Sequence, residues 1–230
     1  MAKKATKKSR SGASSMWVTV GAAVVLALAL IIAQNWWNDR QAAQSIRAAS
    51  YWAQFPTEGT RIGPADAVVH VEEYFDFQCP HCQTASDLVV KRLLDEYVAE
   101  GKVAFTYRFY PILGPESVLA AQAAYCAMEM GAFWPYQDLL FAKKGMGNRG
   151  TFSRNNLISY ARQIGLDGDA FAQCLDSTRA AQYVQRQYDQ AVRLGLLGVP
   201  TFFVNGRQVN LMTWEDLFRV IDQELQAAGR

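Results

Sequence analysis

Glu73-Tyr74-Phe75-Asp76-Phe77-Gln78-Cys79-Pro80-His81-Cys82 sets two thiols three positions apart at the end of an apolar run, and its reading decides the fold. Val68 to Phe77 has the composition of a buried strand. Beyond it, Leu88, Val89, Leu93, Leu94 and Tyr97 recur at helical spacing. The Cys-x-x-Cys therefore sits at a strand-to-helix turn, the context of a redox-active pair. Pro80 suits a first helical turn, where a missing N–H costs nothing. Cys79 then meets the unpaired N–H groups of a helix start, which favour a thiolate over the thiol and lower its pKa below the free value of about 8.5. Cys82, one turn on, shares the helix face and can close a disulfide with Cys79. A zinc half-site or a purely structural bridge are the competing readings, and no second close Cys or His pair supports the metal.

The first ten residues carry Lys3, Lys4, Lys7, Lys8 and Arg10, and no further charge occurs before Asp39. Within that gap Met16 to Ala33 is an almost unbroken apolar run of 18 residues, with Trp36 and Trp37 where an interfacial aromatic belt would fall. The basic start predicts a cytoplasmic N-terminus and everything beyond the span outside. A cleaved signal peptide shares the basic start, but Ile31-Ile32-Ala33-Gln34-Asn35 offers no small-x-small cleavage site. Setting aside the five N-terminal cations leaves 18 basic against 21 acidic residues, without the charge footprint of a nucleic-acid binder.

Outside the cytoplasm, thiols that can reach each other oxidise. Cys126 and Cys174 lie in helical, apolar contexts and are expected to bridge; two separately buried thiols are the alternative. In the chain-entropy treatment a loop of that length stabilises the fold by roughly 4 kcal/mol.

The organisation expected is a basic tail (1–15), a membrane anchor (16–37), a stalk (38–63) and one globular domain (64–230). A first strand, about Ala67 to Phe75, leads into a helix from Pro80 to Glu100, ended by Gly101. Val103 to Phe109 alternates as a second strand. From about 114 to 195 only helical patterns follow: Glu116 to Met130, Phe133 to Lys144, Asn155 to Ile164, Gly168 to Asp176 and Arg179 to Leu194, with Ser153, Asp167 and Thr178 as N-caps. Asn205-Gly206 between Thr201–Val204 and Gln208–Leu211 signals a type I′ hairpin. Thr213 with Asp216 resembles a capping box opening a last helix.

From about Gly59 to its end the chain resembles the DsbA-like thiol–disulfide oxidoreductases, most closely the membrane-anchored bacterial type. The resemblance is carried by Glu73 to Cys82, by Gly131-Ala132-Phe133-Trp134, and by Val199-Pro200-Thr201-Phe202-Phe203-Val204-Asn205-Gly206. It implies an α/β fold, thioredoxin-like with an inserted α-helical domain, here preceded by one N-terminal transmembrane helix. It also implies a cis-Pro200 facing the cysteines, so that the Val199 backbone is turned toward an incoming peptide that pairs as an added strand.

His81, between the cysteines, is placed to stabilise the Cys79 thiolate, and His70 reads as a packed strand residue. Glu73, six residues before Cys79, would be partly buried beneath the site and relay the proton of Cys82. The expected activity is extracytoplasmic oxidation: Cys79 takes the substrate thiolate and Cys82 resolves. Reduced secreted or membrane proteins are the expected substrates and a quinone-linked membrane protein of the DsbB or vitamin-K-epoxide-reductase type the expected reoxidant. Beyond the redox disulfide no cofactor or metal is expected. A reductase or isomerase using the same cysteines is the alternative, and a peptide-holding module with a structural Cys pair the more distant one. Gly145-Met146-Gly147-Asn148-Arg149-Gly150 spells G-x-G-x-x-G but follows a helix rather than a strand, so it is expected to be a flexible loop without a nucleotide.

Overall fold

The strand that delivers the cysteines is the centre of a six-stranded sheet. The computed structural model describes residues 13–45, 49–143 and 145–229. Sheet order is β1-β2-β4-β3-β5-β6, with β1 Thr57–Glu58, β2 Arg61–Ile62, β3 Val69–Phe75, β4 Val103–Phe109, β5 Thr201–Val204 and β6 Arg207–Gln208. β3 runs parallel to β4, with Glu73 opposite Tyr107, and antiparallel to β5, with Glu73 opposite Phe202. Val69, Val71, Glu73 and Phe75 recur at period two and bury one face of this strand, while Tyr74 is buried on the other. His70 departs from expectation: it is exposed on β3, and its N–H donates to Asn205 Oδ1 at 2.9 Å.

The chain turns from β3 into α3 (Pro80–Thr84) and continues helically through wider π turns, Ala85–Val90 and Leu94–Val98, flanking the single turn α4 (Lys91–Leu93). No Pro or Gly in 81–98 announces those turns. Gly101, at φ 72°, ends the helical run in the left-handed conformation that glycine adopts freely.

Five helices follow as expected, shifted by one or two residues: α5 Pro115–Glu129, α6 Phe133–Ala142, α7 Arg154–Gln163, α8 Gly168–Leu175 and α9 Thr178–Arg193. Asp167 caps α8 by accepting from the N–H groups of Asp169 and Ala170. Ser153 occupies the N-cap of α7 without a side-chain bond, and the cap of α9 is Ser177 rather than Thr178, which is its first helical residue. Asn205 (φ 49°) and Gly206 (φ 76°) make the expected turn between β5 and β6. The capping box before α10 (Glu215–Ala227) is half made: Asp216 accepts from the Thr213 and Met212 N–H groups, and Thr213 returns no cap.

Residues 38–63 differ most from the expected stalk. After α2 (Ala49–Trp52), the β1–β2 hairpin pairs with β4 through Ile62 and Phe105, and Trp52, Phe55 and Ile62 are buried. Two-residue strands carry too little pattern to be seen beside Pro56, Gly59 and Pro64. The main core joins one face of the sheet to the insertion through Phe75, Phe105, Tyr107, Phe109, Phe133 and Trp134, and a smaller cluster of Tyr74, Tyr110, Ala191, Leu196 and Phe203 lies on the other face. By itself, α1 (Ala13–Ser45) is one helix whose described side chains begin at Val20. Among the described residues no helix is long and apolar enough to cross a membrane. The basic residues of the tail lie outside the described residues, as do Met16 to Thr19 of the expected span in their side chains.

Candidate active site

Seven sequence-designated residues converge at the C-terminal end of β3. Cys79 is the N-cap of α3, with Pro80 in its first turn. Its sulfur accepts the Cys82 N–H at 3.4 Å, so the loop and the helix start close around a single atom. Both thiols are free; Cys82 is fully buried, while Pro80 and His81 are exposed. The Val199–Pro200 peptide is cis, and the Val199 carbonyl oxygen lies 3.6 Å from Cys79 Sγ.

The electrostatics divide the two sulfurs. The Cys82 thiol donates to the Cys79 sulfur, and the Cys82 and His81 backbone N–H groups point at it as well. Together they outweigh burial and the nearby Asp76 charge, bringing the Cys79 pKa down to about 6. His81 thus contributes through its main chain, with its imidazole in solvent. Cys82 is pushed well up, first by burial, then by its own donation to Cys79 and by the charges of Glu73 and Cys79. One cysteine is a thiolate near neutral pH; the other holds its proton.

Glu73 is wholly buried on the central strand, and neither carboxylate oxygen has a hydrogen-bond partner. Burial, reinforced by the Cys79 charge, pushes its pKa well above the ordinary carboxylate value. Its neighbour Glu72 is half-buried and paired with Arg108 Nε at 2.7 Å. Glu73 is therefore a proton-carrying acid electrostatically coupled to both sulfurs.

Several residues that hold this geometry escape sequence reading. Asp76, 1 % exposed, accepts the Gln78 N–H at 2.8 Å on one oxygen and those of Ile112 and Leu113, at 2.8 and 2.9 Å, on the other. An Asp two residues before a turn residue is an Asx-turn signal that could have marked it. Tyr110 Oη donates to the Leu196 carbonyl at 3.1 Å, and Thr201 Oγ1 to the Gly198 carbonyl at 2.7 Å, fixing the loop that carries Val199.

Cys126 and Cys174 are bonded to each other within the insertion, linking α5 to α8 across 48 positions, and take no part in the site. Among the described residues no cluster of His, Cys, Asp or Glu is arranged to hold a metal ion.

The family model described as Thioredoxin matches residues 56–223. The probable disulfide bond formation protein D of Bacillus anthracis is 30% identical over 169 residues, 72% of this chain and 77% of that protein. The Na(+)/H(+) antiporter NhaA 3 of Salinispora tropica is 38% identical over 148 residues, 64% of this chain but 21% of the antiporter. The chain thus spans about a fifth of the length of the antiporter relatives it matches. In three dimensions, oxidised BdbD of Bacillus subtilis superposes with a TM-score of 0.68 at 23% identity, covering 73% of this chain and 93% of that one, and shares the fold.

Proposed function

The chain belongs to the thioredoxin family as a DsbA-like thiol:disulfide oxidoreductase, and from that premise we propose that it runs in the oxidising direction outside the cytoplasm. The observation that carries the direction is the unequal pair of sulfurs, Cys79 held near pKa 6 and Cys82 pushed up. A stabilised thiolate favours the reduced form of the protein, so its disulfide readily passes to a substrate.

In the proposed cycle a substrate thiolate attacks Cys79 of the Cys79–Cys82 disulfide and Cys82 leaves. Glu73 supplies the proton that Cys82 takes. A second substrate thiolate then attacks the substrate sulfur of the mixed disulfide and Cys79 leaves as a stable thiolate. Two electrons pass to the protein, two substrate thiols become one disulfide, and no cofactor beyond the cysteine pair is used. Val199 and Pro200 offer the backbone edge along which an extended substrate pairs.

Met16 to Ala33 is proposed as an uncleaved anchor that keeps the domain beside the membrane. The support is the 18-residue apolar run and its basic flank, together with exposed Leu26, Leu28, Leu30, Ile31 and Ile32. Reduced secreted or membrane proteins are the proposed substrates. A quinone-linked membrane protein of the DsbB or vitamin-K-epoxide-reductase type is the proposed reoxidant, met at high effective concentration because both partners share the bilayer.

Equilibration of the Cys79–Cys82 couple with glutathione tests the direction. A potential above about −230 mV is expected, and one at or below about −270 mV, the range of thioredoxin, would assign a reductase instead. Alkaline extraction of membranes tests the anchor; release into the soluble fraction would remove it.

A further inference from the structure

The G-x-G-x-x-G loop is fastened to the cysteine site by one side chain. Asn148, at φ 53°, donates from Nδ2 to the Leu113 carbonyl at 2.9 Å. Its Oδ1 accepts the Glu116 N–H at 3.0 Å and lies 3.5 Å from Gln78 Nε2. Gln78 is buried and precedes Cys79. Gly114, at φ 128°, leaves the space Asn148 fills, since a Cβ there would stand 2.4 Å from Asn148 Nδ2. From the other side buried Glu116 accepts the Gly150 and Phe152 N–H groups at 2.6 and 2.7 Å, and Asn156 donates to the Gly150 carbonyl. With Asp76 holding Ile112 and Leu113, the segments 76–79, 112–116 and 148–152 form one hydrogen-bonded rim. Ile112 and Leu113 on that rim, and Met146 two residues before Asn148, are exposed to solvent.

We propose that Asn148 is a positioning residue that makes the 145–150 loop the insertion-side wall of the substrate site, and that this wall receives an apolar side chain next to the substrate cysteine. The inference rests on the thiol–disulfide exchange reading above. The occupant is an extended segment of reduced polypeptide. The rim is continuous with Cys79 through Gln78, and an extended substrate carries its neighbouring side chains only about 3.3 Å per residue from the reacting sulfur. Met146, unbranched and polarisable, adapts to apolar side chains of different shape.

The test uses the full chain with two reduced peptides identical except for Leu or Ser beside the cysteine, and with dithiothreitol as a substrate that reaches no wall. Wild type is expected to favour the Leu peptide about tenfold in kcat/KM, through KM. In Asn148→Ala and in Met146→Ser that preference should fall to about twofold, while the alkylation midpoint of Cys79 stays in place. Met146 is exposed, so its substitution decides the matter even where Asn148→Ala fails to fold. A wild type without preference, or a preference retained in Met146→Ser, overturns the wall. Failure of wild type to take electrons from dithiothreitol overturns the exchange reading itself, a separate result.

Discussion

Val199 and Cys79, 120 positions apart, meet with the carbonyl oxygen of one 3.6 Å from the sulfur of the other. The contact exists because β5 pairs with β3, so the loop entering β5 and the loop leaving β3 lie at the same edge of the sheet. A peptide that pairs with the backbone at Val199 is thereby aligned with the one sulfur whose thiolate is stabilised. Tyr110 and Thr201 hold that loop from outside the Cys-x-x-Cys, which makes the alignment a property of the fold rather than of the cysteines alone.

Reactivity should follow the split between the sulfurs. In the reduced protein the alkylation rate of Cys79 is expected to titrate with a midpoint near 6, with Cys82 unreactive over the same range. The largest cause of the low value is the thiol of Cys82, so Cys82→Ala should raise the midpoint. A hydrogen bond to a charged group is worth roughly 1.5–3 kcal/mol, which corresponds to about one to two pH units. The backbone N–H groups of His81 and Cys82 remain and keep it below an ordinary thiol. A midpoint unchanged in Cys82→Ala would show that the backbone alone sets the value.

Asp76 should matter to stability more than its position in a loop suggests. Asp76→Ala leaves three backbone N–H groups of the rim without their acceptor, and about 2–4 kcal/mol of unfolding free energy is expected to be lost. Denaturant midpoints of the reduced proteins measure it. A loss below about 0.5 kcal/mol would mean that water replaces the carboxylate freely.

What the sequence discloses and what it hides follow from range. The Cys-x-x-Cys, β3, β4, the five insertion helices and the Asn205-Gly206 turn rest on local periodicity and turn chemistry, and all lie where the residues predict them. The β1–β2 hairpin, the tie of Asn148 to Gln78 and the anchoring of the Leu196 carbonyl by Tyr110 join segments 40 to 90 positions apart, with no repeating pattern to betray them. His70 shows the same limit in reverse. Alternation marks it as a strand residue, but whether its face is covered depends on what the rest of the chain lays against it.

The Cys126–Cys174 bond should be structural only. Replacing both by Ala opens a closure of 48 positions, expected to cost about 2–4 kcal/mol of stability. Because the bond lies wholly within the insertion, the Cys79 alkylation midpoint should not move. Thermal melts of the oxidised proteins and the pH titration together check both halves. A shifted midpoint would reveal coupling between insertion and site.

Glu73 is predicted to be a stability liability kept for its proton. Its folded pKa stands well above the unfolded value of about 4.3, because burial and the Cys79 charge disfavour the carboxylate. The stability associated with the protonated acid is therefore fully present below about pH 4.3. It is lost as pH rises from there toward the folded value, since the unfolded chain ionises while the folded one does not. Glu73→Leu has no such loss and removes two buried oxygens without partners. The variant should be more stable than wild type at pH 7 by about 1–3 kcal/mol, by a margin that widens as pH rises above about 4.3. Its exchange rate should fall at least tenfold, as expected when a positioned proton donor is lost. Because the Cys82 thiolate then draws its proton from water, the deficit should shrink at acid pH. Parallel stability curves for the two proteins would refute the raised acid. A stabilised variant with undiminished exchange at neutral pH would leave Glu73 without its role at Cys82.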